Sequence, residues 1–437
     1  MTFTPIDEVA CGADARIYPE GWQSWSPTTW YRIDKAAHRP ENSVRAAMRF
    51  RPGSPPPPTG FQGEGLLVLE PGDGAPARCY STEDPVRVPA IRAEVSDGRA
   101  LISTDAEDPA RVNCSLAEDG AAALAAFGDR FARAVGAGEL REPPTAWCSW
   151  YRYFEGVTPA DLRDNLAAIG ELQLPVDVIQ LDDGWQVGVG DWTENDRFGS
   201  LAPLADSIRA DRRRAGIWLA PFIAAADSHL ARDHPDWLVG DGGANWDATL
   251  HGLNLDRGNV CDYLWTSFHR LAELGFDYFK LDFLYGGAMT STADDPDGTR
   301  AYRAGLALIR DAVGPDAYLV GCGAPILPSV GLVDAMRVSP DTFHPEGQDG
   351  STGLRGAMAA TARAWQHGRL WVNDADCLVA RPSFRPRAEW ADVIRAVGGL
   401  RTFSDRVAEL DPWGVAAVRD LLGHVPPPRP FLPEATQ

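Results

Sequence analysis

Long apolar runs are missing from this 437-residue chain: no uncharged stretch approaches the ~18 residues that a membrane-crossing helix needs, so no membrane span is expected. The opening MTFTPIDEVA holds neither a basic n-region nor an apolar h-region, so no signal peptide is expected. Basic charge is also short, with 41 Lys and Arg against 61 Asp and Glu and a net charge of −20. Such a chain repels phosphate backbones, which argues against nucleic acid as a partner, whereas a neutral ligand such as a sugar is compatible. The seven cysteines are odd in number, widely spaced and without a CxxC pair. They read as reduced thiols of a cytoplasmic protein rather than as a disulfide framework. The eight histidines show no HxxxH spacing, so a metallohydrolase is not expected and no metal or cofactor is called for.

What is present is an ordinary globular composition, 44% hydrophobic and 23% charged. The length suits a barrel of ~250 residues plus a smaller domain. Residues 1 to 140 lack strong helical periodicity. They carry short β-type runs, Gly65-Leu-Leu-Val-Leu69 and Val86-Arg-Val-Pro-Ala90, between turn-rich stretches such as Gly53-Ser-Pro-Pro-Pro-Pro58 and Pro71-Gly-Asp-Gly74. This pattern predicts an N-terminal β-sandwich. A helical segment, Ala121 to Ala137, precedes a boundary at Pro143-Pro144.

From Thr145 strands and helices alternate. Strands are predicted at Thr145–Tyr153, Val176–Asp183, Ala215–Phe222, Phe276–Leu284, Ala317–Gly323, Asp334–Asp341, Leu370–Cys377 and Leu400–Asp405. One intervening helix starts at Thr158, with Pro159 at its first position, Asp161 near the positive end of its dipole, and Leu162, Leu166 and Ile169 at helical spacing. Eight β/α units between residues 141 and 423 predict a (β/α)₈ TIM barrel, and a multidomain β plus α/β chain as a whole. Residues 424–437 are proline-rich and predict an irregular strap or frayed end.

In such barrels the chemistry sits at the C-terminal ends of the strands. Those ends carry Asp182-Asp183, Asp282, Cys322, Asp341, Asp374 with Asp376, and Asp405. Carboxylates gathered at one mouth repel one another unless something uses them, so the mouth is expected to be catalytic. In Phe276-Asp-Tyr-Phe-Lys-Leu-Asp-Phe-Leu284, period two puts Lys280 and Asp282 on one face. There the ammonium favours an ionised carboxylate, which a glycosidase nucleophile must be; a plain buried ion pair is the alternative. In Asp334-Ala-Met-Arg-Val-Ser-Pro-Asp341, Arg337, Ser339 and Asp341 share a face. Asp341 is either a proton donor or a turn-capping Asp before Thr342. Asp182 and Asp183 precede Gly184-Trp185 and fit either sugar hydroxyls or Asp-Gly turn chemistry. Of the 15 tryptophans, Trp22, Trp25, Trp150, Trp185, Trp192, Trp246 and Trp371 fall in loops or near strand ends, where an aromatic face suits a sugar, although each alone is more often core.

These stretches, with Gly21-Trp-Gln-Ser-Trp-Ser26, Cys148-Ser-Trp-Tyr151, Gln180-Leu-Asp-Asp183, Gly216-Ile-Trp-Leu-Ala-Pro221, His234-Pro-Asp-Trp237, Gly321-Cys-Gly-Ala-Pro325 and Trp371-Val-Asn-Asp-Ala-Asp-Cys-Leu378, occur in one order over nearly the whole chain. The chain resembles the short prokaryotic α-galactosidases of glycoside hydrolase family 36, clan D. The resemblance implies a β-supersandwich followed by a catalytic barrel, and retaining hydrolysis of terminal α-galactosyl residues of oligosaccharides. It places the nucleophile of a Lys-x-Asp motif on Asp282 and the acid/base of an Arg-x-x-x-Asp motif on Asp341. It assigns the galactose O4 and O6 hydroxyls to Asp182 and Asp183, and further sugar contacts to Lys280, Arg337 and Cys322. Trp246 and either Trp22 or Trp25 are implied as pocket walls. An acidic mouth of this kind makes anionic substrates poor candidates.

The chain departs from the family pattern in two places. About 30 residues follow the eighth strand, too few for the family's C-terminal β-domain, which is expected to be missing. The third strand runs on as the bland Phe222-Ile-Ala-Ala-Ala226. The rival readings are an α-N-acetylgalactosaminidase or galactosyl transferase on the same fold, a non-catalytic carbohydrate-binding protein, and a barrel abstracting protons from small acids.

Overall fold

The computed structural model describes residues 2–290, 292, 295–343 and 354–426. Eight short strands alternate with helices along the second part of the chain: β1 (Thr145–Cys148), β2 (Val178–Leu181), β3 (Arg214–Leu219), β4 (Phe276–Leu281), β5 (Tyr318–Gly321), β6 (Ala335–Arg337), β7 (Val372–Asp374) and β8 (Arg401–Phe403). All neighbouring pairs are parallel, in spatial order β7-β6-β5-β4-β3-β2-β1-β8. The Leu378–Phe403 bridge closes the ring between the ends of the sheet. Eight parallel strands need seven crossovers, and helices such as Pro159–Glu171, Gly258–Glu273 and Thr299–Val313 supply them. The first of these starts as predicted: the Thr158 hydroxyl accepts from the Asp161 N–H while the Asp161 carboxylate accepts from the Thr158 N–H, a reciprocal capping box.

Period two explains the barrel interior. Ala146, Val178, Tyr278, Val320, Ala335 and Val372 form a buried apolar floor, on which the Tyr278 and Tyr318 rings stack 5.8 Å apart. Two residues further on, each of these strands turns a polar or sulfur-bearing side chain onto the same face: Cys148, Gln180, Lys280, Cys322, Arg337 and Asp374. The sequence therefore builds a dry base and a polar storey above it.

The N-terminal part holds two antiparallel sheets, one of four strands and one of five. Val9, Ile17, Phe61, Leu67, Leu69, Tyr80, Ile91 and Ile102 form the core they share. Strand Leu66–Glu70 is buried on both faces: Leu67 and Leu69 face that core, while Leu66 and Val68 join the core containing helix Gly120–Ala134 and the barrel. This is why Gly65-Leu-Leu-Val-Leu69 reads as a continuous apolar run.

All eight barrel strands are shorter than predicted, and three departures along the chain stand out. Thr145–Tyr153 is a strand only to Cys148 and turns helical at Trp150–Tyr153. Val86–Ala90 is not a strand, because Asp84 Oδ1 accepts from the Val86 and Arg87 N–H groups and holds a turn, and the strand begins at Ala90. Asp334–Asp341 is paired only over Ala335–Arg337. The tail expected from 424 lies outside the described residues beyond 426.

Candidate active site

The mouth of the barrel gathers the acids named above. Asp182 directly follows β2 and is 2% exposed. Its Oδ2 accepts from Lys280 Nζ at 3.1 Å, Gln180 Nε2 at 2.7 Å and Cys148 Sγ at 3.3 Å, and its Oδ1 accepts from the Asp183 N–H. Asp183 accepts from Gln186 Nε2 at 2.6 Å and from Trp246 Nε1 at 2.7 Å, one donor per oxygen. Burial nevertheless pushes its carboxyl up to about 7, against the pull of those two donors.

Asp282 closes β4. Its Oδ1 accepts from the Phe283 N–H at 2.9 Å and its Oδ2 from Trp218 Nε1 at 3.0 Å. Burial, and less strongly the charge of Asp341, raise its carboxyl above the usual range, while Lys280, the Cys322 thiol and Trp218 pull it back. Lys280 was expected to pair with Asp282; its hydrogen bond goes instead to Asp182, on the far side of β3, and it reaches Asp282 through its field alone. The β3–β4 register sets Trp218 beside Lys280, so the indole rather than the ammonium donates to Asp282.

Asp341 lies just past β6, with a side chain 39% exposed, and its Oδ1 accepts from Arg337 Nη2 at 2.9 Å. The same Nη2 donates to Asp376 Oδ2 at 2.6 Å. Asp376 also accepts from the Thr342 N–H at 2.8 Å, from the Thr342 hydroxyl at 2.7 Å and from the Tyr151 hydroxyl. Asp376 has φ of +89°, an unfavourable angle for a residue with a Cβ, which this set of donors holds in place. Asp376 is therefore the anchor of the Arg337–Asp341 pair. Sequence reading placed Asp376 at a strand end without a role, and gave none to Trp218, although period two from Gly216 turns that indole inward.

The bland Phe222–Ala226 stretch supports a wall of the site. Ile223–Ala225 pairs with Ala248–Leu253, which also pairs with Ala244–Asn245. The two residues between these last strands, Trp246 and Asp247, have φ of +51° and +55°, the double left-handed geometry of a tight hairpin turn. The turn holds the Trp246 indole over Asp183, its ring 4.9 Å from Phe283. Of the two N-terminal candidates, Trp25 stands edge-on to Phe283 at 4.8 Å. Trp22 is buried beneath the Arg51 guanidinium. Trp185, Trp192 and Trp371 are core. Cys322 is fully buried, its thiol bonded to Asp282.

Compared with known proteins, residues 146–306 match the melibiase family. The match spans less than half of the chain. Among its relatives are the bifunctional α-galactosidase/sucrose kinase AgaSK of Mediterraneibacter gnavus, 30% identical over 168 residues, and an Escherichia coli α-galactosidase, 30% identical over 133 residues. Those matches cover 36% and 28% of this chain, and only 17% and 18% of the relatives' own lengths. The α-galactosidase TtGalA of Thermus thermophilus, solved with p-nitrophenyl α-D-galactopyranoside, superposes with a TM-score of 0.80 at 27% identity, over 97% of this chain and 89% of that one. The family 36 α-galactosidase AgaA of Geobacillus stearothermophilus shares the fold, with a TM-score of 0.64 at 15% identity over 95% of this chain and 61% of that one.

Proposed function

We propose that this chain is a retaining α-galactosidase of the melibiase family. The observation that carries the reading is the pairing of two unlike carboxyls at one mouth. Asp282 is buried and held by an indole, an amide and a thiol, whereas Asp341 is partly exposed and held by Arg337. Each is close enough for the charge of Asp341 to act on Asp282. Residues 1–140 then form a supporting sandwich and 141–423 the catalytic barrel.

Asp282 attacks the anomeric carbon as Asp341 gives its proton to the departing glycosidic oxygen, leaving a galactosyl ester on Asp282. Asp341 then takes a proton from water, whose oxygen displaces Asp282 and frees the sugar with its configuration retained. Asp182 and Asp183 receive the galactose O4 and O6 hydroxyls. Lys280 donates to Asp182 beside them, Arg337 and Cys322 line the pocket, and Trp246 and Trp25 wall it. The TtGalA structure solved with stachyose supports oligosaccharides bearing terminal α-galactose as substrates. The seven cysteines are all unpaired, which supports a reducing compartment.

Purified protein is expected to hydrolyse p-nitrophenyl α-galactoside without added metal. Asp282→Ala is expected to lose at least about a thousandfold in turnover, and added azide to restore it with an inverted galactosyl azide as product. Loss of turnover that azide or formate does not rescue would remove Asp282 from the nucleophile's role.

A further inference from the structure

Outside the galactose pocket, on the side of Asp341, lies an open groove of about 420 Å³ lined by Trp25, Pro340, Glu41 and three arginines, Arg45, Arg49 and Arg355. The groove adjoins the acid/base. Pro340 precedes Asp341, the Arg355 N–H donates to the Thr342 carbonyl at 3.1 Å, and the Asp341 carboxylate acts on the Arg355 guanidinium. A group leaving from the proton of Asp341 therefore departs into this space.

The charge there runs opposite to the rest of the chain. Arg45 and Arg49 come from one short helix, Ser43–Arg49, in an i,i+4 relation that sets like charges on one face and destabilises it. Arg355 joins them from the segment after β6. All three are half-buried, and no guanidinium of the three has a hydrogen bond or ion pair among the described residues. The buried arginines elsewhere are paired, as Arg337 is with Asp376, Arg363 with Glu20 and Arg51 with Glu64. Burial, together with the charges of Arg45 and Arg355, brings Arg49 down to about 10, and Glu41 offsets only part of this. Three guanidiniums in one groove, unpaired among the described residues, repel unless a ligand neutralises them, the same argument that marks the acids of the mouth as functional.

We propose that the groove takes a phosphate ester carried by the leaving group, so that the substrate is an α-galactoside of a phosphorylated alcohol or sugar. This rests on the α-galactosidase reading and names the other half of its substrate. A phosphate monoester brings nearly two charges and three strong acceptor oxygens against three planar donor forks, where a carboxylate would neutralise one charge of three. The acidic mouth does not oppose this, because the anion lies on the leaving-group side, away from Asp182 and Asp183.

The test compares kcat/KM for α-galactosyl glycerol phosphate and for α-galactosyl glycerol, with p-nitrophenyl α-galactoside as a third substrate. The phosphorylated compound is expected to be preferred by about tenfold to a hundredfold, the range of charge-assisted hydrogen bonds. The preference should shrink in 0.5 M salt and fall toward one in Arg355→Gln and in the Arg45→Gln/Arg49→Gln double variant. Taking the ratio of substrates cancels any effect of Arg355 on Asp341 itself. If the variants do not fold, the salt dependence of the wild-type ratio decides. Equal turnover of the two glycerol compounds, or a preference indifferent to salt, overturns the proposal while cleavage of the nitrophenyl galactoside leaves the α-galactosidase reading standing. Cleavage of none of the three would remove that reading and this one with it.

Discussion

At the scale of single residues, the cost of the site is concentrated in Asp183. Its carboxyl has two donors and no cation of its own, and burial raises it from 3.8 to about 7. Below pH 4 it is protonated whether the chain is folded or not and contributes nothing to the pH dependence. Between pH 4 and 7 the unfolded chain releases that proton and the folded chain keeps it, so raising the pH favours unfolding. Above about pH 7 the penalty is constant, on the order of 4 kcal/mol. Asp183→Asn removes the titration. Its stability relative to wild type is therefore expected to rise from pH 4 to pH 8, measured as the difference in urea midpoint, while galactose binding is lost. A difference that stays flat across that range would show that Asp183 titrates as an ordinary carboxyl. The neighbouring Asp182, which has an ammonium, an amide and a thiol on one oxygen, illustrates what Asp183 lacks.

At the scale of elements, the turn after β2 shows how backbone geometry aims these acids. Gly184 has φ of +113°, and a Cβ there would stand 2.6 Å from the Glu155 carbonyl oxygen. The Gly184 carbonyl in turn accepts from Asn195 Nδ2 and Arg197 Nη2. Gly184→Ala is expected to cost about 1–3 kcal/mol and to raise KM for an α-galactoside by displacing Asp183, whereas Gly156→Ala, which meets open space, is expected to do neither. The turn reading of Asp182-Asp183-Gly184 was legible in the sequence and holds: the glycine makes the turn, and the turn sets both carboxylates at the strand end. The eight strands were legible for a similar reason, because period two and the β/α alternation are properties of one segment at a time. Partner choice is not. Lys280 and Asp282 share a strand face, but which acid the ammonium meets depends on the register of β4 against β3 and β2, which a single strand does not encode. The Trp246 hairpin escaped for another reason. Trp is a poor residue for a double left-handed turn, so the usual Asn-Gly signal is absent and the short strands around it look featureless.

At the scale of the whole molecule, the N-terminal sheets are part of the site's support. Arg363, which lies between β6 and β7, reaches back across the chain with all its donors used. Nε donates to Glu20, Nη1 to the Ser24 and Val338 carbonyls, and Nη2 to the Gln23 carbonyl and the Thr28 hydroxyl. Glu20 is completed by Tyr18, Gln366 and the Gly21 N–H. Neither Arg363 nor Glu20 has any exposed side-chain surface. This network fixes the Gly21–Thr28 segment, and with it Trp25, against the end of β6 where Arg337 and Asp341 begin. A buried pair of this kind adds little over an apolar replacement, but removing one partner strands the other without solvent. Arg363→Leu is therefore expected to lose about 3–5 kcal/mol, and Glu20→Gln somewhat less because an amide keeps part of the network. Combining the two should cost clearly less than the sum of the single losses, a coupling readable in a double-mutant cycle. The same architecture requires the N-terminal sheets and the barrel to melt in one calorimetric transition. Two separate transitions in the wild type, with additive effects of the two substitutions, would mean that the sandwich merely leans on the barrel and that Trp25 is held by its own segment.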